Sequence, residues 1–305
     1  MRKEPLFGAI ELGGTKTVVA IGKSDGTVRD QISLPTIAPE ELVAQIGTYF
    51  AAQVGRWGPL AALGVGAFGP IVIDPEVPDY GQLLATNKPG WSGFALAAAL
   101  HSACGMVPHI VTDVAAAGIG EARLGALRGC RTGIYLTVGT GVGGAIIVGG
   151  QPLPALLHPE MGHIALKRLA GDDARSACRF HESCAEGLAS GPAIIARFGH
   201  SLSHFDPSGP EYNLVADYLG QLCANLVFAI SPERIVIGGG VGKAPRLAKV
   251  VQAAMLQHLS GYAPAQVAAE GFVCSPQLDQ CAGIAGALCL AGQTQVGRIA
   301  ALRQE

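Results

Sequence analysis

The chain has 305 residues, a formal net charge of -2 and only 14% charged residues. No Lys/Arg-rich run is present to neutralise a row of phosphates, which excludes a nucleic-acid binder and favours a small-molecule partner. The length exceeds what a single core usually serves, so two domains sharing a cleft are expected. Eight cysteines, at 104, 130, 178, 184, 223, 274, 281 and 289, outline no compact disulfide framework. The segment 1–5 is polar, and no uninterrupted apolar run reaches bilayer length despite 49% hydrophobic residues. The expectation is a cytoplasmic protein without a membrane partner.

In chain order, Leu6 to Glu11 is an apolar run, Gly13-Gly14 breaks it and Thr17 to Ile21 resumes it, which predicts two strands around a glycine turn. A helix near Glu40 to Val54, a strand near Leu63 to Phe68, a helix near Phe94 to Cys104 and a strand at Ile110 to Thr112 follow. The opening then recurs, with strand Ile134 to Val138, turn Gly139-Thr140-Gly141 and strand Val142 to Val148. Helices near Glu186 to Phe198 and Glu211 to Ile230 precede the strand Arg234 to Ile237 and a helix near Ala244 to Leu259. The pattern predicts an internal duplication of two α/β units meeting across a crevice.

Glycine turns without side chains let successive backbone N–H groups converge on an anion. Gly13-Gly14-Thr15-Lys16 is one candidate phosphate cradle, with a hydroxyl and an ammonium to add charge-assisted bonds. Glu11, just before it, can reach Mg²⁺ through water. The same glycine pair also serves a plain hairpin turn. In Gly139-Thr140-Gly141-Val142-Gly143-Gly144, four glycines among six residues exceed what a turn needs. Gly238-Gly239-Gly240 follows a strand and precedes a helix predicted to begin near Lys243, where α/β proteins seat a nucleotide. No Walker loop and no dinucleotide fingerprint occurs, which disfavours a dehydrogenase.

Residues 160–187 carry Cys178, His181 and Cys184 at three-residue intervals, with His163 fifteen residues before the first of them. Two thiols and two imidazoles suit tetrahedral Zn²⁺, whereas a chance cluster of buried thiols and surface imidazoles is the bland alternative. His163 can ligate zinc with one ring nitrogen and reach a substrate with the other. Glu160 and Glu186 suit paired sugar hydroxyls, or are solvated surface charges. Asp113 ends a strand and opens an alanine-rich stretch, so it is either the general base of a phosphoryl transfer or an N-cap worth ~1 kcal/mol.

Together these segments resemble the ROK family of sugar kinases and repressors, and within it the bacterial fructokinases. IELGGTK (10–16) resembles the first phosphate motif, GAFGPI (66–71) the second-strand signature and NKPGW (87–91) the acceptor-side loop. TDVAAAGIGE (112–121) resembles the catalytic segment, LTVGTGVGG (136–144) the second phosphate loop, HPEMGH (158–163) with CRFHESCAEG (178–187) the sugar and zinc segment, and VIGGGV (236–241) the adenosine-side glycines.

The resemblance implies the duplicated actin-like, ribonuclease-H-like ATPase fold, an α/β architecture of two domains around a cleft. It implies a division into 1–113 and 114–289, with a C-terminal helix 290–305 packing back on the first domain. It implies that ATP is held by Gly13, Gly14, Thr15, Lys16, Thr137, Gly139, Thr140, Gly141, Gly143 and Gly238 to Gly240. The sugar contacts would be Glu160, His163, Glu186, Asn87, Lys88, Gly90 and Trp91, and the Zn²⁺ ligands His163, Cys178, His181 and Cys184. It further implies Mg²⁺ on the phosphates, a homodimer, and Asp113 as the base that deprotonates the 6-hydroxyl of D-fructose. Other hexose or amino-sugar kinases and a silent sugar sensor are the alternatives; repressors carry an N-terminal helix-turn-helix, for which the five or so residues before the first predicted strand leave no room. Ala115 stands where relatives carry Asn, and Glu182, Ser183 and Ala185 where they carry Gly, Asp and Leu. These departures bear on sugar identity more than on phosphoryl transfer.

Overall fold

The computed structural model describes residues 4–301, with side chains as far as Gln293. The chain separates into two compact units, one formed by residues up to Leu124, Pro154–His158 and residues from Gln280 on, the other by Gly125–Leu153 and Pro159–Asp279.

The first unit opens with a meander, β1 (Leu6–Leu12), β2 (Lys16–Gly22) and β3 (Val28–Pro35), antiparallel throughout. Helix α1 (Pro39–Trp57) then leads to β4 (Leu60–Ala67), and α2 (Leu96–Cys104) to β5 (Pro108–Thr112), both strands parallel to β1. The sheet order is β3-β2-β1-β4-β5. Strand β3 was not foreseen, because at the sheet edge its apolar residues are interrupted by Arg29, Asp30, Gln31 and Ser33 and leave no apolar run. Helix α1 starts on Pro39 with Glu40 and Glu41 in its first turn, which suits the positive end of the helix dipole, and buries Leu42, Val43, Ile46, Tyr49 and Phe50 along one stripe. Directly after β5 the chain turns into α3 (Asp113–Leu124).

The second unit repeats the plan. Strands β6 (Thr132–Val138), β7 (Val142–Val148) and β8 (Gln151–Pro152) are antiparallel. Helices α4 (Ala185–Ala189), α5 (Gly191–Phe198) and α6 (Pro210–Ile230) precede β9 (Arg234–Gly238), α7 (Gly239–Gly242), α8 (Leu247–Leu259) and β10 (Val273–Cys274). The order β8-β7-β6-β9-β10, with β9 and β10 parallel to β6, matches the first sheet strand for strand, so the duplication read from the sequence is present in the topology. Ile134, Leu136, Ile235 and Ile237 pack against Tyr212, Leu219 and Leu222 of α6 and Val251 and Met255 of α8. By length and composition α6 could cross a bilayer, but 61% of its apolar stretch is buried in this core.

Two helix expectations are corrected. The helix expected over 186–198 is broken at Ser190, whose extended backbone ends α4 and whose hydroxyl accepts from the Ala193 N–H at 3.4 Å to cap α5. The helix expected near Lys243 already begins at Gly239, and Arg246, at φ 62°, separates α7 from α8.

Helix α9 (Ala282–Ala301) completes the first unit against α3, β4 and β1. Small residues set the approach: a Cβ on Gly64 would lie 2.0 Å from the Ala287 carbonyl oxygen, and one on Gly286 would lie 1.7 Å from that of Ala116. Ile284, Leu288 and Ala291 cover Phe7, Ala9 and Ala20. Because α3 packs on α9, the division expected after Asp113 falls after Leu124 instead. Residues 302–305 of the expected C-terminal helix lie outside the described residues.

Candidate active site

In the first unit, the turn between β1 and β2 is closed by the Gly13 N–H on the Lys16 carbonyl at 3.1 Å. Thr36, just past β3, pins it from outside: its N–H donates to the Thr15 carbonyl at 3.0 Å and its hydroxyl to the Gly13 carbonyl at 2.8 Å. Sequence reasoning missed Thr36 together with the edge strand that delivers it. Thr15 and Lys16 are exposed on this turn. The Lys88 ammonium donates to the Gly14 carbonyl. Asn87 is exposed, and Gly90, at φ 80°, makes the turn that follows. Trp91 is 2% exposed, donates its indole N–H to the Ile37 carbonyl at 3.0 Å and packs edge-on against Phe68 and Phe94, so it anchors the loop from the core.

The N-cap of α3 falls to the neighbour of Asp113. The Thr112 hydroxyl accepts from the Ala115 N–H at 3.1 Å, the N-cap bond of α3, while Asp113 accepts the adjacent Val114 N–H at 2.8 Å and its own backbone N–H. Burial pushes the Asp113 carboxyl up to about 6. Ala115 is buried under the helix start. Glu11 sits opposite Gly66 in the β1/β4 register, and a Cβ on Gly66 would lie 3.3 Å from the Asp113 Cα, which places both acids on one side of the sheet. Burial first, and the Asp113 charge second, push Glu11 up to about 7. Its carboxylate accepts the Ile284 N–H at the start of α9, where a Cβ on Gly283 would come within 2.4 Å of its carboxyl carbon.

In the second unit the glycine segments meet. Gly139 closes its turn on the Gly141 carbonyl at 2.9 Å and accepts the Gly191 N–H at 2.7 Å. A Cβ on Gly139 would lie 3.7 Å from the Gly240 N, and one on Gly239, at φ 84°, would lie 2.7 Å from the Thr137 hydroxyl oxygen. Thr137, Gly139 to Gly141 and Gly238 to Gly240 therefore lie side by side, backbone against backbone. Thr140 is exposed beside it, and Gly143 is half-buried on β7.

His163, Cys178, His181 and Cys184 place four ligand atoms within 4.8 Å of one another. Sγ to Nδ1 separations are 3.6 Å for Cys178–His181 and 3.8 Å for both Cys178–His163 and Cys184–His163. Tetrahedral Zn²⁺ puts sulfur and nitrogen ligands about 3.6 Å apart, so the donor set fits that ion. Nδ1 of His163 faces the thiols, which leaves Nε2 on the far side of its ring. The Cys184 sulfur also accepts the Gly187 N–H at 3.4 Å, capping α4, whose second residue is Glu186. Glu186 in turn accepts the Val142 N–H at 3.1 Å, and a Cβ on Gly141 would lie 2.6 Å from its carboxylate. The metal cluster thus leads through one helical turn to a carboxylate on the glycine loop. Glu160 is exposed immediately before the 3-10 turn Met161–His163.

The family model described as "ROK family" matches residues 7–294. A fructokinase of Pediococcus pentosaceus is 37% identical over 94% of this chain and 97% of its own length. The crystal structure of a ROK hexokinase from Thermus thermophilus superposes with a TM-score of 0.78 at 27% identity, covering 96% of this chain and 99% of that one. A ROK glucokinase from Streptomyces griseus, crystallised with glucose and AMPPNP, shares the fold at a TM-score of 0.70 and 22% identity over 94% and 99% of the two chains.

Proposed function

The chain belongs to the ROK family, and from that premise we propose that it is an ATP-dependent sugar kinase whose acceptor is D-fructose, phosphorylated on its 6-hydroxyl. The observation that carries the reading is Asp113, an acid relieved of helix capping by Thr112 and raised by burial to about 6. Such a group is ionised at neutral pH yet basic enough to take a hydroxyl proton.

The reaction then runs on this chain's own groups. Asp113 accepts the proton of the sugar hydroxyl as that oxygen attacks the γ-phosphorus, and the phosphorus–oxygen bond to ADP breaks. The Gly13 to Lys16 turn in the first unit, and Thr137, Gly139 to Gly144 and Gly238 to Gly240 in the second, each offer backbone N–H groups and threonine hydroxyls suited to phosphate oxygens. Glu160, His163 and Glu186 orient sugar hydroxyls. His163, Cys178, His181 and Cys184 would hold a structural Zn²⁺, which would fix the turn that carries Glu186. Mg²⁺, entering with ATP, supplies charge neutralisation on the phosphates, and Glu11 is the acid nearest the turn that would face it.

The relative at 37% identity that carries the name fructokinase supports the sugar assignment. Buried Ala115, which offers no amide to a substrate, favours one alternative within the same chemistry, a different hexose. A coupled ADP-release assay across fructose, glucose, mannose and amino sugars tests both. Highest kcat/KM on fructose is the expected result; a higher value on another hexose moves the acceptor, and no turnover on any sugar removes the reading.

A further inference from the structure

Lys88 is held where an acceptor contact is not. Its N–H bonds the Thr86 hydroxyl at 3.4 Å, its carbonyl accepts the Trp91 N–H at 3.2 Å, and buried Trp91 fixes the turn. From this base the side chain runs over the Phe68 ring, with Nζ 5.1 Å from its centre, and donates to the Gly14 carbonyl. The missing side chain of Gly14 admits it, since a Cβ there would lie 3.0 Å from Nζ. Desolvation holds the ammonium below its ordinary value of 10.5, and no carboxylate offsets that cost. Lys88 forms no ion pair among the described residues. An ammonium has three donors, and one of them is used among the described residues. A cation held on the glycine turn, partly stripped of water and paired with no carboxylate among the described residues, calls for an anionic ligand.

We propose that Lys88 is a further catalytic residue, one that binds the phosphoryl group in transfer at the Gly13 to Lys16 turn rather than a sugar hydroxyl. The assignment rests on the kinase reading for its chemistry. Lys88 would neutralise negative charge on the phosphoryl oxygens while the bond to ADP breaks and the bond to the sugar oxygen forms, and it neither gains nor loses a proton in the step. Exposed Lys16 closes the other end of the same turn and brings a second positive charge to it.

The experiment compares wild type with Lys88→Met and Lys88→Arg. Steady-state kinetics give kcat and the sugar KM, and calorimetry gives the affinity for tripolyphosphate, an anionic probe free of adenosine. Lys88→Met is expected to lower kcat by about 100-fold, the scale of one lost transition-state donor, to leave the sugar KM within about threefold, and to weaken tripolyphosphate by about tenfold or more; Lys88→Arg recovers part of the binding. A raised sugar KM with kcat and tripolyphosphate affinity intact would put the lysine on the acceptor and overturn the proposal, as would unchanged parameters throughout. Should the Met variant not fold, reductive methylation of wild type read by peptide mass spectrometry decides: tripolyphosphate must protect Lys88 and sugar alone must not. Lys88-dependent tripolyphosphate binding without turnover of any sugar would sink the kinase reading alone, whereas turnover without that dependence would sink the role of Lys88 alone.

Discussion

Replacing Asp172 by Asn should cost the second unit a large share of its stability. The Asp172 and Arg197 side chains are 4% and 8% exposed. The carboxylate accepts from Arg197 Nε at 3.2 Å and Nη2 at 3.0 Å, from the Tyr218 hydroxyl at 2.5 Å and from the Ala174 N–H at 3.3 Å. An amide turns one of those oxygens into a donor facing donors, and leaves a buried guanidinium without its counter-charge. Removing one member of such a pair costs ~3–5 kcal/mol. At ~2–4 °C per kcal/mol for a domain of this size, the melting temperature of Asp172→Asn should fall by ~6–20 °C.

The acid limb gives a second reading of the same pair. Burial alone would raise Asp172, but the Tyr218 hydroxyl and the Arg197 charge outweigh it and hold the carboxyl below its ordinary 3.8. Its contribution is therefore complete above that value and is lost as pH falls through the lowered folded one, so wild type and variant should converge in strong acid. Circular dichroism melts between pH 3 and pH 8 check both points. Asp172→Leu with Arg197→Met should recover most of the loss, because desolvating the pair is itself expensive. A neutral-pH melting point for Asp172→Asn within about 2 °C of wild type would refute the reasoning.

Asp113→Ala should lower kcat by about 10³-fold, within the range for general-base removal, while sugar and nucleotide still bind by calorimetry. Because the acid must be ionised to act and titrates at about 6, wild-type kcat/KM should fall tenfold per pH unit below that value; a profile flat to pH 5 would contradict the assignment. Elemental analysis should find one zinc per chain, and Cys184→Ala should lose it and raise the sugar KM, since the same sulfur caps the turn that carries Glu186. Unchanged metal content in that variant would refute the ligand set.

What was legible in the sequence was local. Both hairpins announce themselves as apolar runs broken by glycines, and the Cys/His cluster as two thiols and an imidazole three residues apart. His163 was readable as the fourth member because a short 3-10 turn returns the chain to the loop. At Asp113 the sequence offers Thr and Asp side by side, both good caps, and only the bond from Ala115 to Thr112 separates their roles. Trp91 was read as a sugar contact because it lies in a motif; its ring is core, while the neighbouring lysine reaches the Gly13 to Lys16 turn. The meeting of Glu11 with the start of α9 joins residues more than 270 positions apart and has no local signature.

The first unit is assembled from three stretches of chain, and the last of them arrives late. Its sheet is complete at Thr112, yet α9, which covers Phe7, Ala9 and Ala20, follows roughly 155 residues that separate Leu124 from Gln280. At a ribosomal pace of ~5–20 residues per second, that interval is ~8–30 s. During translation the earliest strands thus wait with one apolar face bare, while the second unit, nearly continuous in the chain, has all it needs to fold. The nascent protein should consequently mature from the middle outward, with the oldest strands protected last and most dependent on a chaperone.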